Sequence, residues 1–270
     1  MKSQHLLGFL LIVFVLSCKK EADIDSPGTN GGTKLTKMVV VSGSTTTTTT
    51  LGYDANGRLS NWRQVDNSAA PANDGFRIQR KADGMIEKVI FKRASFPDSA
   101  SLTINSSAAK YTSADWANAY GFPETQRTAF VYENAGNIVE STITDILPNG
   151  QTDPKSRYTY TYSNGNISSM KVYRISGGTN SLFRQYDFTH DQKTNPLALG
   201  AEWILLTATD MLFAPNGSAN NPTMITIKQA NGTERPFTFT YTYNEQGRPI
   251  ASVQKDAGGT VVATTTYTYQ

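Results

Sequence analysis

The 270-residue chain carries 25 Lys and Arg against 22 Asp and Glu, a formal net charge of +3, too small to argue for a nucleic-acid or acidic-membrane partner. A single cysteine, Cys18, rules out a disulfide framework within the chain, so the fold must rest on its apolar core. Charged residues make up 17%, below the usual quarter or so, whereas 34 Thr and 13 Tyr favour pleated, half-buried surfaces.

The chain begins "MKSQHLLGFLLIVFVLSCKK". Lys2 precedes an apolar stretch from Leu6 to Leu16, shorter than the about 20 residues a membrane-spanning helix needs and of the length of a signal-peptide core. Val15-Leu16-Ser17-Cys18 resembles the bacterial lipobox. That resemblance implies removal of residues 1–17 and acylation of Cys18, with the membrane as partner through the lipid. Several acyl chains on one residue hold firmly, since each buried methylene contributes about 0.8 kcal/mol. Residues 18–34, polar and rich in Gly and Asp, read as a flexible tether. Lys19-Lys20-Glu21, with Asp23 nearby, partly resembles the signal that sends Bacteroidota lipoproteins to the cell surface. The expected location is therefore the outer membrane, with the outward leaflet a candidate.

From residue 35 to 270 a hairpin signal recurs. Asp54-Ala55-Asn56-Gly57, Glu133-Asn134-Ala135-Gly136 and Asn244-Glu245-Gln246-Gly247 each follow an aromatic run, and Asn164-Gly165 makes a tighter version. Gly adopts the positive φ such reversals need, and Asn or Asp tolerates it. The flanks alternate with period two: Tyr158, Tyr160 and Tyr162 face one way, Thr159 and Thr161 the other, and Phe237, Phe239, Tyr241 and Tyr243 oppose Thr238, Thr240 and Thr242. Such a period puts an apolar row on one strand face.

The spacing predicts strands near 45–53, 58–65, 76–81, 85–92, 126–132, 137–145, 156–162, 166–174, 182–189, 223–229, 236–243, 249–255 and 260–269. Residues 107–123 and 195–222 interrupt the alternation, and 201–211, bracketed by Pro196 and Pro215, reads as a short helix. The expected architecture is all-β: one antiparallel meander of hairpins forming a curved, barrel-like sheet, with the interruptions plugging an end.

The segments "YDANGRL", "YENAGNI" and "YNEQGRPI" resemble degenerate YD (RHS-type) repeats. Together with Tyr186-Asp187, Asp191 to Pro196 and Asn220-Asn221-Pro222, they resemble a group of uncharacterised Bacteroidota outer-membrane lipoproteins with a porin-like or RHS-like β-fold. The shared motifs are turn signals and imply a fold without implying a reaction.

Few residues can carry chemistry. His190 is the one histidine beyond the signal peptide, and its neighbours Asp187 and Asp191 place it in an expected exposed turn. One histidine and an acylated cysteine cannot build a zinc site or a cysteine nucleophile, and phosphate-cradling glycine motifs do not occur. No cofactor, metal or nucleic acid is expected, and the chain reads as a non-enzymatic binding or structural component. Paired carboxylates for glycoside hydrolysis leave a carbohydrate-binding or glycan-hydrolysing lipoprotein as the alternative. The partner classes are a glycan or another envelope protein. Trp116 and Trp203, in the interrupted segments, are the candidate exposed ligand contacts, while the regular aromatic rows read as core. Asp98-Ser99-Ala100 resembles the O-glycosylation tripeptide of Bacteroidota envelope proteins, with Ser99 as acceptor.

Overall fold

The computed structural model describes residues 34–67, 73–92, 100–117, 125–202 and 217–270. Sixteen strands lie among these residues. In chain order they are β1 (Leu35–Ser42), β2 (Thr45–Tyr53), β3 (Leu59–Asp66), β4 (Asn73–Arg80), β5 (Ile86–Lys92), β6 (Ser101–Ser107), β7 (Lys110–Ala117) and β8 (Thr125–Tyr132). Then follow β9 (Ile138–Ile146), β10 (Thr152–Ser163), β11 (Asn166–Ser176), β12 (Thr179–Thr194), β13 (Asn220–Gln229), β14 (Glu234–Tyr243), β15 (Pro249–Lys255) and β16 (Val261–Tyr269). Each strand pairs antiparallel with its neighbours in sequence, and β16 returns to β1 to close a barrel. Lys34 and Gln270 exchange two backbone hydrogen bonds, of 2.9 and 3.0 Å, at the seam.

The all-β meander expected from the alternation is present, and the sheet closes. Three strands escaped the sequence reading. In β1, Val39, Val40 and Val41 run consecutively and hide the period. β6 and β7 fall within or beside the presumed interruption at 107–123, and they are joined at Ala108 and Ala109, whose φ angles are 48° and 58°. Alanine carries no turn signal and is disfavoured there by roughly 1–2 kcal/mol per residue, so the flanking ladders hold that reversal. Of the helix expected at 201–211, Ala201 and Glu202 take a helical turn; residues 203–211 lie outside the described residues.

Directly opposed residues on neighbouring strands point to the same side of a sheet, so the register sorts inside from outside. One rung runs Ile78, Val89, Leu102, Trp116 across β4 to β7, and all four are buried. The adjacent rung runs Gln79, Lys88, Thr103, Asp115, Arg127, Thr144 across β4 to β9 and is exposed or half-exposed. Over these strands the wall is therefore apolar inside and polar outside. A wall of sixteen strands leaves a wide channel in porins. Here inward side chains of β1 to β7 and β9 to β11 form one cluster that includes Leu197 from the β12–β13 connection.

An up-and-down meander sends alternate connections to opposite rims. Both ends of the wall, Leu35 and Tyr269, lie on one rim, the near rim. The same rim carries the turns at 54–58, 81–85, 108–109, 133–137, 164–165 and 244–248 and the described ends, 195–202 and 217–219, of the β12–β13 connection. All the aromatic-flanked hairpin turns noted above are on this side. The far rim carries Gly43-Ser44 and the turns at 147–151, 177–178, 230–233 and 256–260.

Candidate functional site

The near rim is built for closure. In the turn after β2, Asp54 accepts hydrogen bonds from the backbone N–H of Asn56 and Arg58, both at 2.9 Å, and from Arg58 Nε at 3.0 Å. Gly57 takes the positive φ of 81°. Asn244 and Gly247 repeat this arrangement after β14, with Gln246 and Arg248 as donors. Three tyrosines at strand ends on this rim have a task of their own. Tyr53 donates to the Leu35 carbonyl at 2.6 Å, Tyr162 to Ile138 at 2.8 Å and Tyr269 to Pro249 at 2.8 Å. A collar of phenols thus satisfies backbone groups at strand ends, which would otherwise be left without partners.

The connection from Asn195 folds onto this rim. Asn195 Nδ2 donates to the Ser218 carbonyl at 3.1 Å, and Asn166 and Asn220 are cross-bonded at 2.9 and 3.0 Å. Leu197 enters the core. Glu202 receives both Arg80 Nη atoms, at 2.6 and 2.8 Å, and the Tyr111 hydroxyl at 3.3 Å. Arg80 also donates to the carbonyls of Gly84 and Leu59, and its side chain is 8% exposed. A guanidinium with this many fixed acceptors is a brace between wall and connection. Asp191 accepts from Lys193 N at 2.8 Å, from Asn221 N at 3.2 Å and from the Tyr243 hydroxyl. Burial first, and the adjacent Asp191 second, push the Tyr243 phenol well above its usual range.

His190 is not in an exposed turn. It lies on β12, half-buried and beside Phe188, with Nε2 shut away from solvent and without a hydrogen-bond partner among the described residues. Burial lowers its pKa, against the opposing pull of Asp191. The bulge at Thr189/His190 had no sequence signal.

Trp116 is likewise corrected. It lies on β7, is 4% exposed and packs 4.9 Å from Phe91, which adjoins Phe76 and then Trp62 at 6.0 Å each. It ends an aromatic row inside the wall and offers no exposed face. Cys18, Ser99 and Trp203 lie outside the described residues. So does the part of the chain read as signal peptide and tether, except for Lys34.

The far rim is different in character. Inward positions here are polar: Asp66 and Asp74 on β3 and β4, Asp145 on β9, Asp153 on β10, and Arg184 and Arg235 on β12 and β14. Asp145 and Asp153 are opposed, and Lys155 contacts both, at 3.5 Å from Asp145. Glycoside hydrolysis needs a sugar between two carboxylates; here an ammonium occupies that place. Among the described residues no group of three or more His, Cys, Asp and Glu could hold a metal ion.

β11 and β12 rise above this rim. Pairing of β10 with β11 ends at Ser156 and Arg174, and pairing of β12 with β13 ends at Arg184 and Gln229. Between those limits Ile175 to Ser176 pairs only with Thr179 to Asn180, through the turn Gly177-Gly178 with φ of 56° and 78°. The Arg174 guanidinium lies 3.8 Å from the Phe183 ring centre, and that of Arg184 lies 5.0 Å from it. Leu182 is 40% exposed. The far rim with this projecting ribbon is the candidate functional surface, and sequence reasoning did not single it out. Its one legible trace was the length of the alternating run through "SMKVYRISGGTNSLFRQY".

No protein-family model matches the chain, and no curated protein matches it. Solved structures do. A porin-like protein from Bacteroides uniformis superposes with a TM-score of 0.57 at 16% identity, covering 87% of this chain and 98% of that one. A porin-like protein from Bacteroides vulgatus gives 0.49 at 10% identity over 88% and 99%. The Photorhabdus luminescens Tc holotoxin pore gives 0.32 at 16% identity, over 82% of this chain and 10% of that one. The first of these shows the fold: a porin-like β-barrel.

Proposed function

We propose that this chain is a lipid-anchored, non-enzymatic barrel of the outer membrane. It is held by acylated Cys18 and a tether emerging at the near rim, and it presents its far rim as a binding or structural surface. The observation that carries the reading is the polarity of the wall. A barrel embedded in lipid carries an outward apolar band about 25 Å tall, and a Lys or Arg at the midplane of that face costs about 2–4 kcal/mol. The outward rung Gln79, Lys88, Thr103, Asp115, Arg127, Thr144 has no such band. Outward ion pairs join Arg127 to Asp115 at 2.7 Å and Arg157 to Glu140 at 2.6 Å. No helix among the described residues is long and apolar enough to cross a membrane. Attachment then falls to the lipobox-like segment, and both wall ends lie on the rim that such a tether would reach. The porin-like neighbour from Bacteroides supports an envelope setting.

Acylation is read directly. Cells expressing the full chain and fed radiolabelled palmitate should yield a labelled band that Cys18→Ser abolishes, and mass spectrometry should find the acyl groups on the peptide beginning at Cys18. An unlabelled wild-type chain would overturn the tether.

A further inference from the structure

We propose that the ribbon of residues 174–184 is a docking edge for an extended, acidic polypeptide segment, which adds to β12 as a further strand. The proposal rests on the far rim being the free surface of the anchored barrel.

Three observations meet at this one place. The first is an open edge. Thr179 to Leu182 pair on one side with β11, with Phe183 bulged between Leu182 and Arg184, while on the other side β13 begins opposite Arg184, so the five residues from Thr179 to Phe183 have no ladder partner there among the described residues. At about 3.3 Å per residue that edge is roughly 15 Å long, enough for a strand of four or five residues. Backbone groups on such an edge are a template for another chain unless they are blocked. Proline and lysine are usual blocking devices, and the segment "TNSLF" has neither; its one bulge, at Phe183, lies at the base of the ribbon and leaves Thr179 to Leu182 regular.

The second observation is charge. The ribbon, "RISGGTNSLFR", has two arginines and no acid. The carboxylates nearby are already engaged: Glu140 with Arg157, and Asp187 and Glu234 with Lys228. Arg174 is exposed, and its guanidinium rests on the Phe183 ring. A guanidinium held flat on a ring is preorganised for a carboxylate, since less side-chain freedom is lost when the pair forms.

The third is the exposed Leu182 opposite Tyr173, an apolar spot on the outer face beside the edge. Strand addition takes its affinity from main-chain hydrogen bonds and its specificity from alternate side chains. The fitting segment therefore alternates an acid, meeting Arg174 or Arg184, with an aliphatic residue, meeting Leu182. A second copy of this chain is a poor occupant, because edge-to-edge pairing would bring together two ribbons that each carry two arginines and no acid.

The test uses the purified full-length protein in detergent micelles and a fluorescein-labelled alternating Val-Glu peptide of about eight residues. Its counterparts are a Val-Lys peptide, a Val-Glu peptide methylated on alternate backbone nitrogens, and polygalacturonate. Fluorescence anisotropy should show saturable binding of the Val-Glu peptide only. Arg174→Glu, at an exposed site, should weaken that binding by at least about tenfold with circular dichroism and Tm unchanged. No binding, equal binding of the N-methylated peptide, or displacement by polygalacturonate as effective as by unlabelled peptide would overturn the proposal. So would dimerisation in ultracentrifugation that competes with the peptide. Acylation is not read in this assay, so its failure leaves the tether standing, and the palmitate result leaves this proposal standing.

Discussion

At the scale of single residues, the most costly arrangement is the Arg80–Glu202 pair. A guanidinium only 8% exposed is tolerable because Glu202 and two carbonyls accept hydrogen bonds from both Nη groups, although Nε is buried without a partner among the described residues. Removing one partner leaves the other charge buried, a loss of about 3–5 kcal/mol. Glu202→Ala should therefore lower the unfolding free energy in urea by about that amount, whereas Glu140→Ala, on an outward pair with Arg157, should change it by less than about 1 kcal/mol. Gly57 offers a second test. Its φ of 81° makes Gly57→Ala strained, by about 1–2 kcal/mol, while Gly258→Ala, without positive φ, should be nearly silent in the same melt. The role of Gly57 was legible in "DANGR"; that of Arg80 was not. An arginine at the end of an alternating strand reads as solvent-exposed, and its acceptor comes from a connection 122 positions away.

At the scale of elements, the hairpin unit is an aromatic strand end, an Asx-type turn, a glycine at positive φ and an apolar residue resuming inward. Leu59 and Ile138 fill that last place, buried to 4% and 1% exposure. The turns were legible because local hydrogen bonding dictates them. The collar of tyrosine hydroxyls was not, because each bonds to a different hairpin. That collar predicts alkaline instability. Burial pushes the Tyr53 phenol up to about 12, and burial likewise raises Tyr162 and Tyr269. A raised folded-state pKa means that the native chain keeps protons the unfolded chain gives up. The resulting stability is complete below about pH 10, the unfolded tyrosine value, and is lost as the pH climbs toward 12. Absorbance of tyrosinate near 295 nm should therefore rise together with loss of the β signal in circular dichroism. A gradual, non-cooperative tyrosine titration with the β signal intact would contradict it. Tyr162→Phe should cost about 1 kcal/mol by removing the donor to the Ile138 carbonyl. The β6–β7 hairpin is the counter-example at this scale. Its Ala108-Ala109 reversal is imposed by the ladder on either side, so no local pattern announces it.

At the scale of the molecule, period-two alternation determined that one face of every strand would be apolar, but it could not say whether that face looked inward or toward lipid. Closure settles the matter: Trp62, Phe76, Phe91 and Trp116 form a row inside, and threonine, lysine and paired charges face outward. Trp116 failed as an exposed contact for the same reason. The irregularity around it came from an unsignalled turn, and its strand was a wall strand like the others. What stays within the reach of sequence alone is the proposed lipobox, Val15-Leu16-Ser17-Cys18, and the alternation that builds the wall. Which rim carries both ends of the wall follows only from the strand order.

The account stands or falls on the barrel lying outside the bilayer with its lipid as the sole hold. A specific protease site inserted between Asp23 and Lys34 would let the tether be cut in isolated outer membranes without detergent. Cutting should release the whole barrel, with its β-sheet circular dichroism intact, into the supernatant after ultracentrifugation. Retention of the cut barrel in the membrane pellet until detergent is added would contradict the polar-wall, tethered reading.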